Sequence, residues 1–485
     1  MAGLSKSRLI QHRQCPKRLW LYTNRPELAE TDEATAACFA IGHQVGEVAR
    51  DLYPAGTLID DLDAKQALAL TAQVLAEKRR PVFEAAFAYD GVFVRTDLLL
   101  PFRGGYRMVE VKSSTSVKPY YVEDAAIQSW VTAKSGVKIG RIEIAHIDNS
   151  FVYQGDDDYS GLFTFADISN EAQALHHEVP KWIKAARTTL AGKEPTIEAG
   201  DQCHEPFSCP FLAYCNPSQD DSGFPPEILP HSSGKQLAAE LRSKGYTDLR
   251  AAPKTCFTNP KHQRIWRATK TGKPELDPAA GDELAHLGYP RYYLDFETIH
   301  FAVPIWAGTS PYRQIPFQWS CHAEKKSGMV SHRHFLAQDS ADPRLAFIES
   351  LIDAVKSRGP ILVYNAGFEA GRLQELAQSF PGYKAALDAI RHRFVDLLPL
   401  GRAHYYHPEM RGSWSLKAVL PTIAPDLAYD DLEVGDGGMA QDAYLEMLHP
   451  QTPPGRVNEL RQALLIYCER DTLALIKVAH FFQGR

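Results

Sequence analysis

The segment "YYLDFETIH", residues 292–300, is patterned as a buried strand. Strand alternation puts Tyr293, Asp295 and Glu297 on one face and Tyr292, Leu294 and Phe296 on the other. Two carboxylates so close on one strand face repel, and burying either without a partner costs on the order of several kcal/mol. A chain that folds this segment into a core has to bring positive charge to that face.

The length of 485 residues predicts roughly three domains of about 150 residues each. No run approaches the roughly 18 apolar residues of a membrane span. The opening "MAGLSKSRLIQHRQCPKRLW" lacks the apolar core of a signal peptide, so a cytoplasmic protein with no membrane partner is expected. Eight cysteines are too few for a disulfide scaffold of this size and point to free thiols or metal ligands. A net charge of -6 does not advertise a nucleic-acid binder, but acids that hold divalent metals do not repel phosphate as free ones do. Lys6, Arg8, Arg13, Lys17 and Arg18 open the chain without an intervening acid, which suits either a phosphate backbone or a solvated helix face.

Composition divides the chain into three. Residues 1–222 mix helical pattern with strand-like runs such as "YRMVEVKSS" and "IGRIEIAHI", an α/β signature. "NPSQDDSGFPP", 216–226, reads as a linker, and a mostly helical connector spans 223–287. From 288 to 485 a second α/β pattern runs, with strands near 291–298, 314–323 and 331–336, a helix near 343–357, the strand "PILVYNAG", and then mainly helices.

Three features join Asp295 and Glu297. Glu369 begins a helix just beyond a strand end, a common place for function in open α/β sheets. The final helix carries an apolar stripe of Leu460, Leu464, Tyr467, Leu475 and Val478, and Asp471 sits in that stripe one turn after Tyr467. An arginine partner would explain one such aspartate. Four acids from a strand, a strand-to-helix junction and a late helix can instead surround two divalent cations about 4 Å apart, which activate water and stabilise both oxygens of an in-line displacement.

At these residues the chain resembles the DEDDy exonucleases of the RNase H-like superfamily. Asp295 and Glu297 match the family's first motif, "YNAGFEAGRL" the second, and Tyr467 with Asp471 the third, Tyr-x-x-x-Asp. In the second motif the family has Asp where this chain has Glu369, one methylene longer. "FVDLLPLGR" and "WSLKAVLP" look like the framework between motifs two and three, which makes Asp396 structural. Residues 288–485 are similar to a bacterial domain of unassigned function found behind RecB-like nucleases. The resemblance implies a mixed-sheet RNase H-like fold, two Mg or Mn ions, and hydrolysis from 3' ends, with Tyr467 orienting water.

In the N-terminal part, "RTDLLLPFRGGYRMVEVKSS" places Asp97 before a turn and Glu110 and Lys112 on one face of the next strand. A lysine beside two metal-binding acids can polarise water or stabilise a phosphorane; an ordinary surface Glu/Lys pair would leave the same trace. Cys203, Cys209 and Cys215 are separated by five residues each, and Cys15 lies far upstream. Three clustered thiolates and a remote one suit an iron-sulfur cluster better than the paired spacing of zinc sites. Residues 1 to about 216 resemble the iron-sulfur PD-(D/E)XK nucleases of the RecB-like type. That resemblance implies one or two metal ions held by Asp97 and Glu110, catalytic Lys112 and Gln128, and a 4Fe-4S staple on Cys15, Cys203, Cys209 and Cys215. Where the family has a metal-binding His, this chain has Gly46, with His43 and Glu47 nearby.

The leading expectation is a fusion of two metal-dependent nucleases acting on single-stranded DNA or RNA, a 3'–5' exonuclease behind a RecB-like module. One alternative is an N-terminal clamp that feeds a single C-terminal site; another is a non-catalytic scaffold among repair or defence partners.

Overall fold

The structure, a computed structural model, describes residues 3–30, 33–216 and 223–485, and the side chains of 33–39 are outside the described set. Most of the expected 216–226 linker, namely 217–222, and the Cys38 side chain therefore lie outside the described residues. The chain is mixed α/β and divides into two compact units. Unit 1 comprises Met1–Gln219 with Phe301–Arg313, and unit 2 comprises Asp220–His300 with Gln314–Arg485. The residues read as a connector, 223–287, group with unit 2. Among the described residues no helix is long and apolar enough to cross a membrane.

Unit 1 begins with α1 (Lys6–Gln14), α2 (Pro16–Asn24), α3 (Glu33–Asp51) and α4 (Ala64–Glu77). An antiparallel meander follows, of β1 (Val82–Tyr89), β2 (Val92–Phe102) and β3 (Gly105–Lys112). Helix α5 (Pro119–Lys134) crosses to β4 (Ile139–Ile147), parallel to β3, and β5 (Phe163–Asp167) adds antiparallel beside it before α6 (Val179–Ala191). Short strands at Leu4–Ser5 and Thr57–Leu58 complete a seven-stranded sheet. One sheet face packs Val92, Val94, Met108 and Ile142 against Ala125, Ile127 and Val131 of α5. The other packs Leu98, Leu100 and Val109 with Val45 and Ala49 of α3, and it takes in Ala302 and Val303 from the 301–313 excursion. Tyr312 in that excursion donates to the Ser113 carbonyl, next to Lys112.

In unit 2, helices α7 (His231–Ser243) and α8 (Pro260–Thr271) precede the strand pair β6 (Arg291–Ile299) and β7 (Ile315–Glu324), with β8 (Val330–Leu336) outside it. Then come α9 (Arg344–Val355), β9 (Ile361–Val363), α10 (Gly367–Ser379), β10 (Phe394–Asp396), α11 (Leu397–His404), α12 (Leu416–Ile423), α13 (Gly437–Leu448) and α14 (Pro454–Phe482). The sheet order is β8-β7-β6-β9-β10, antiparallel on the β7 and β8 side and parallel toward β10. The alternation in "YYLDFETIH" now has its cause. Tyr292, Leu294 and Phe296 enter a core with Phe347, Leu351, Leu373 and Leu376, while Tyr293 joins the opposite core with Leu475, Val478 and Ala479 of α14. Asp295 and Glu297 follow Tyr293 in the alternation and so share its face.

Candidate functional site

Central strand β6 presents Asp295 and Glu297 to the middle of α14, whose Leu460, Leu464, Tyr467, Cys468, Asp471, Leu475 and Val478 are all buried. The stripe is forced by 3.6-residue periodicity, and Asp471 and Cys468 fall within it. Cys468 Sγ lies 3.9 Å from Asp295 Oδ2, and a ligand atom from each of Asp295, Glu297 and Cys468 falls within 4.8 Å of the others. Glu369, in the first turn of α10, is fully buried and its Oε2 has no hydrogen-bond partner. The turn that delivers it is held by Asp396, which accepts from the backbone N–H groups of Asn365 and Ala366, each at 2.9 Å, and caps α11 through Leu398 N–H. Asp396 thus supports the site from behind.

Electrostatics show the four acids acting on one another. Burial first, then the charges of Asp471, Glu297 and Glu369, holds Asp295 well above the usual carboxylate range. Burial and Asp471 likewise hold Glu297 up, against the pull of Lys417. Glu369 is pushed up to about 8, chiefly by burial. Asp471 rises to about 6 for the same reason, restrained by hydrogen bonds from Tyr429 and Tyr467 and by Lys417. Burial and the surrounding acids also push the Cys468 thiol well up. The Lys417 ammonium on α12 lies 5.5 Å from the Tyr467 ring centre and 5.6 Å from that of Tyr429.

Lys417, Tyr429, Cys468 and Asp436 were not among the residues expected from sequence. Cys468 had a signal, because Leu464, Cys468, Asp471 and Leu475 follow helical spacing. Asp436 raises Glu297 but is also the N-cap of α13, where it accepts from Met439 N–H at 2.9 Å. Lys417 and Tyr429 arrive through tertiary folding alone.

In unit 1, Asp97, Glu110, Lys112 and Gln128 also come together. Lys112 Nζ donates to Glu110 Oε1 at 2.7 Å and to Asp124 Oδ2 at 2.9 Å, and Gln128 Nε2 donates to Glu110 Oε2. Asp97 accepts from Val111 N–H at 2.7 Å and is pushed up to about 8 by burial and then by Glu110. Lys6 supplies what the sequence did not announce: its ammonium lies 2.8 Å from Glu110 Oε1 and 3.4 Å from Asp124 Oδ1. Burial would raise Glu110, yet Lys112 and Lys6 overcome it and hold the carboxyl well below its usual range. Other charges of the basic opening are used internally too, Arg13 on Glu123 and Lys17 on Glu194.

His43 and Glu47 stand exposed on α3, unlike buried Glu110. The acid that joins Asp97 is Glu84. Flanked by the pairs Phe83–Leu98 and Ala85–Thr96, it sits across from Asp97 at φ 54°, a conformation a β-carbon disfavours.

Cys15, Cys203, Cys209 and Cys215 are free thiols that lie within electrostatic reach of one another. The Gln14 side chain draws the distant segments together by donating to the carbonyls of Gln202, at 2.8 Å, and Phe207, at 2.7 Å. Burial raises the Cys209 and Cys215 thiols, and Arg18 and Lys17 respectively oppose it. Four thiolates on one zinc stand about 3.8 Å apart, as Zn–S bonds of about 2.3 Å require. Among the described residues, no three of these sulfurs lie mutually within 4.8 Å.

Residues 292–415 match the family model described as Domain of unknown function (DUF2779). The match takes in Asp295, Glu297 and Glu369 and stops short of α14. The chain is similar to Uncharacterized protein UU173 of Ureaplasma parvum serovar 3, 25% identical over 243 residues that make up 46% of this chain and 35% of that protein. It is also similar to Uncharacterized protein MG366 of Mycoplasma genitalium, 26% identical over 214 residues, 40% of this chain and 32% of the relative. The matched part thus spans about a third of the length of these curated relatives. A solved structure titled "Crystal structure of SSO0001" aligns with 44% of this chain and 86% of its own, at 16% identity and a TM-score of 0.23.

Proposed function

We propose that the chain is a metal-dependent nuclease whose C-terminal carboxylate site removes nucleotides from the 3' end of single-stranded nucleic acid. One observation carries this: Asp295, Glu297, Glu369 and Asp471, from a strand and two helices, converge in a buried place where they repel one another and where Glu369 Oε2 has no partner. A cluster so arranged is costly unless cations fill it. Carboxylate oxygens suit Mg or Mn, which when bound supply Lewis-acid stabilisation of the attacking and leaving oxygens of a phosphodiester. The chain's own groups have separate tasks. Tyr467 and Tyr429 fix the Asp471 carboxylate by hydrogen bonds, and Lys417 brings positive charge that can meet a phosphate oxygen. The resemblance to DEDDy exonucleases at these same positions supports the assignment.

For unit 1 the proposal is a RecB-like nuclease module stapled by a 4Fe-4S cluster on Cys15, Cys203, Cys209 and Cys215, a reading supported by the electrostatic reach of the four thiols on one another. A specific observation favours a second function for this unit, that of a clamp that holds a strand without cutting it. Lys6 already neutralises Glu110 and Asp124, so the charge deficit that calls for cations in unit 2 is largely met here by lysines.

Separate Asp295→Ala and Lys112→Ala variants, assayed on end-labelled single-stranded DNA and RNA with Mg or Mn, distinguish these functions. Asp295→Ala is expected to lower 3'-end release about a thousandfold, the scale on which losing charge stabilisation lowers turnover. If Lys112→Ala leaves cleavage intact, unit 1 is a clamp; if it removes a second activity, unit 1 cuts. Hydrolysis unchanged by both variants would remove the assignment.

A further inference from the structure

On the β7–β8 side of unit 2, His322, His332 and Glu469 form a second group whose ligand atoms all lie within 4.8 Å of one another, and no part of the proposed hydrolysis uses it. His322 and His332 face each other across the antiparallel pair, their rings stacked with centres 4.5 Å apart, and Glu469 reaches over from α14. His322 Nε2 is 4.0 Å and His332 Nδ1 3.5 Å from Glu469 Oε1.

A chain of hydroxyls reaches the far ring nitrogens. Thr472 Oγ1 lies 3.1 Å from the Glu469 backbone carbonyl, 2.7 Å from Ser320 Oγ and 2.8 Å from His322 Nδ1, and Ser320 Oγ lies 2.9 Å from His332 Nε2. A cation held by His322 Nε2 and His332 Nδ1 puts the ring protons on the far nitrogens, where the Thr472 and Ser320 hydroxyls accept them. The near nitrogens, His322 Nε2 and His332 Nδ1, are the ones that face the Glu469 carboxylate.

We infer that His322, His332 and Glu469 bind a first-row transition metal ion of the zinc class, separate from the carboxylate site and independent of the nuclease proposal. Two imidazoles and one carboxylate are a donor set that zinc accepts, and the partners on the far ring nitrogens are of the kind that orient metal-bound histidines. Three protein donors leave one coordination position for solvent, which the exposed side of Glu469 admits. The site would tie α14, two residues from Asp471, to the β7–β8 hairpin.

Zinc titrated by calorimetry into the full-length protein in excess Mg tests this. Wild type is expected to bind one equivalent of zinc whose affinity is at least about 100-fold lower in Glu469→Gln and in His332→Ala. Thr472→Val, which breaks the hydroxyl chain without touching the metal, is expected to weaken it about tenfold. Glu469 is half exposed, so its variant keeps the fold and decides the matter even if His332→Ala perturbs the strand. Equal zinc stoichiometry and affinity in wild type and Glu469→Gln would overturn the inference.

Discussion

Glu369 shows how much a single side chain can cost and what it returns. Its folded pKa is raised from 4.5 to about 8, and that of Asp471 from 3.8 to about 6, so between about pH 4 and pH 8 the native state holds protons that the unfolded chain has released. Stability without metal therefore falls as pH rises through that window. Glu369→Gln keeps the shape and removes the charge. Thermal melts of metal-free protein at pH 8 are expected to show the variant above wild type by about 2–4 °C for each kcal/mol of repulsion relieved, and the rise in Tm produced by Mg to be smaller in the variant. A variant that melts lower than wild type without metal would mean the cluster is not strained. The four acids were legible because charge in an apolar pattern stands out locally. Lys417 and Tyr429 were not, since each is an ordinary residue in its own segment, and Lys6 stood out only as part of a basic run, its partners Glu110 and Asp124 lying far away in sequence.

Among elements, α14 is the one on which the rest depends. It buries one face from Leu460 to Phe482, and Gln318 of β7 donates to the Leu464 carbonyl at 2.7 Å, fixing the helix against the sheet one turn before Tyr467 and Cys468. Leu464 is fully buried, so Leu464→Ala should cost about 2–5 kcal/mol in urea unfolding of the full chain. A loss under about 1 kcal/mol would show that this stretch of the helix is not packed as described. Periodicity revealed this helix, β6 and β7 to within a residue or two at each end. The part that the connector plays in the second core is not legible in sequence, where its helices look self-contained. Leu249, Phe257, Ile265 and Leu284 in fact share a core with Tyr293, Leu362 and Leu475 of the C-terminal half. The strain at Glu84 also escaped notice, for nothing in "RPVFEAAF" announces a positive φ.

At the scale of the molecule, the division into units does not follow the order of the chain. Phe301–Arg313 leaves from the end of β6, the strand that carries Asp295 and Glu297, and belongs to unit 1, where Ala302 and Val303 are each 2% exposed. A fragment of residues 1–222 lacks this segment. It is expected to melt at lower temperature than unit 1 does within the intact protein, and to regain part of the difference when a peptide of residues 300–314 is added. A fragment as stable as the intact unit would show that the excursion contributes nothing to its core.

That borrowed loop restricts how such a gene can be cut and rejoined. A recombination event that exchanged only the downstream half would bring in a foreign loop and leave a hole in the upstream sheet, so the two halves are obliged to change together.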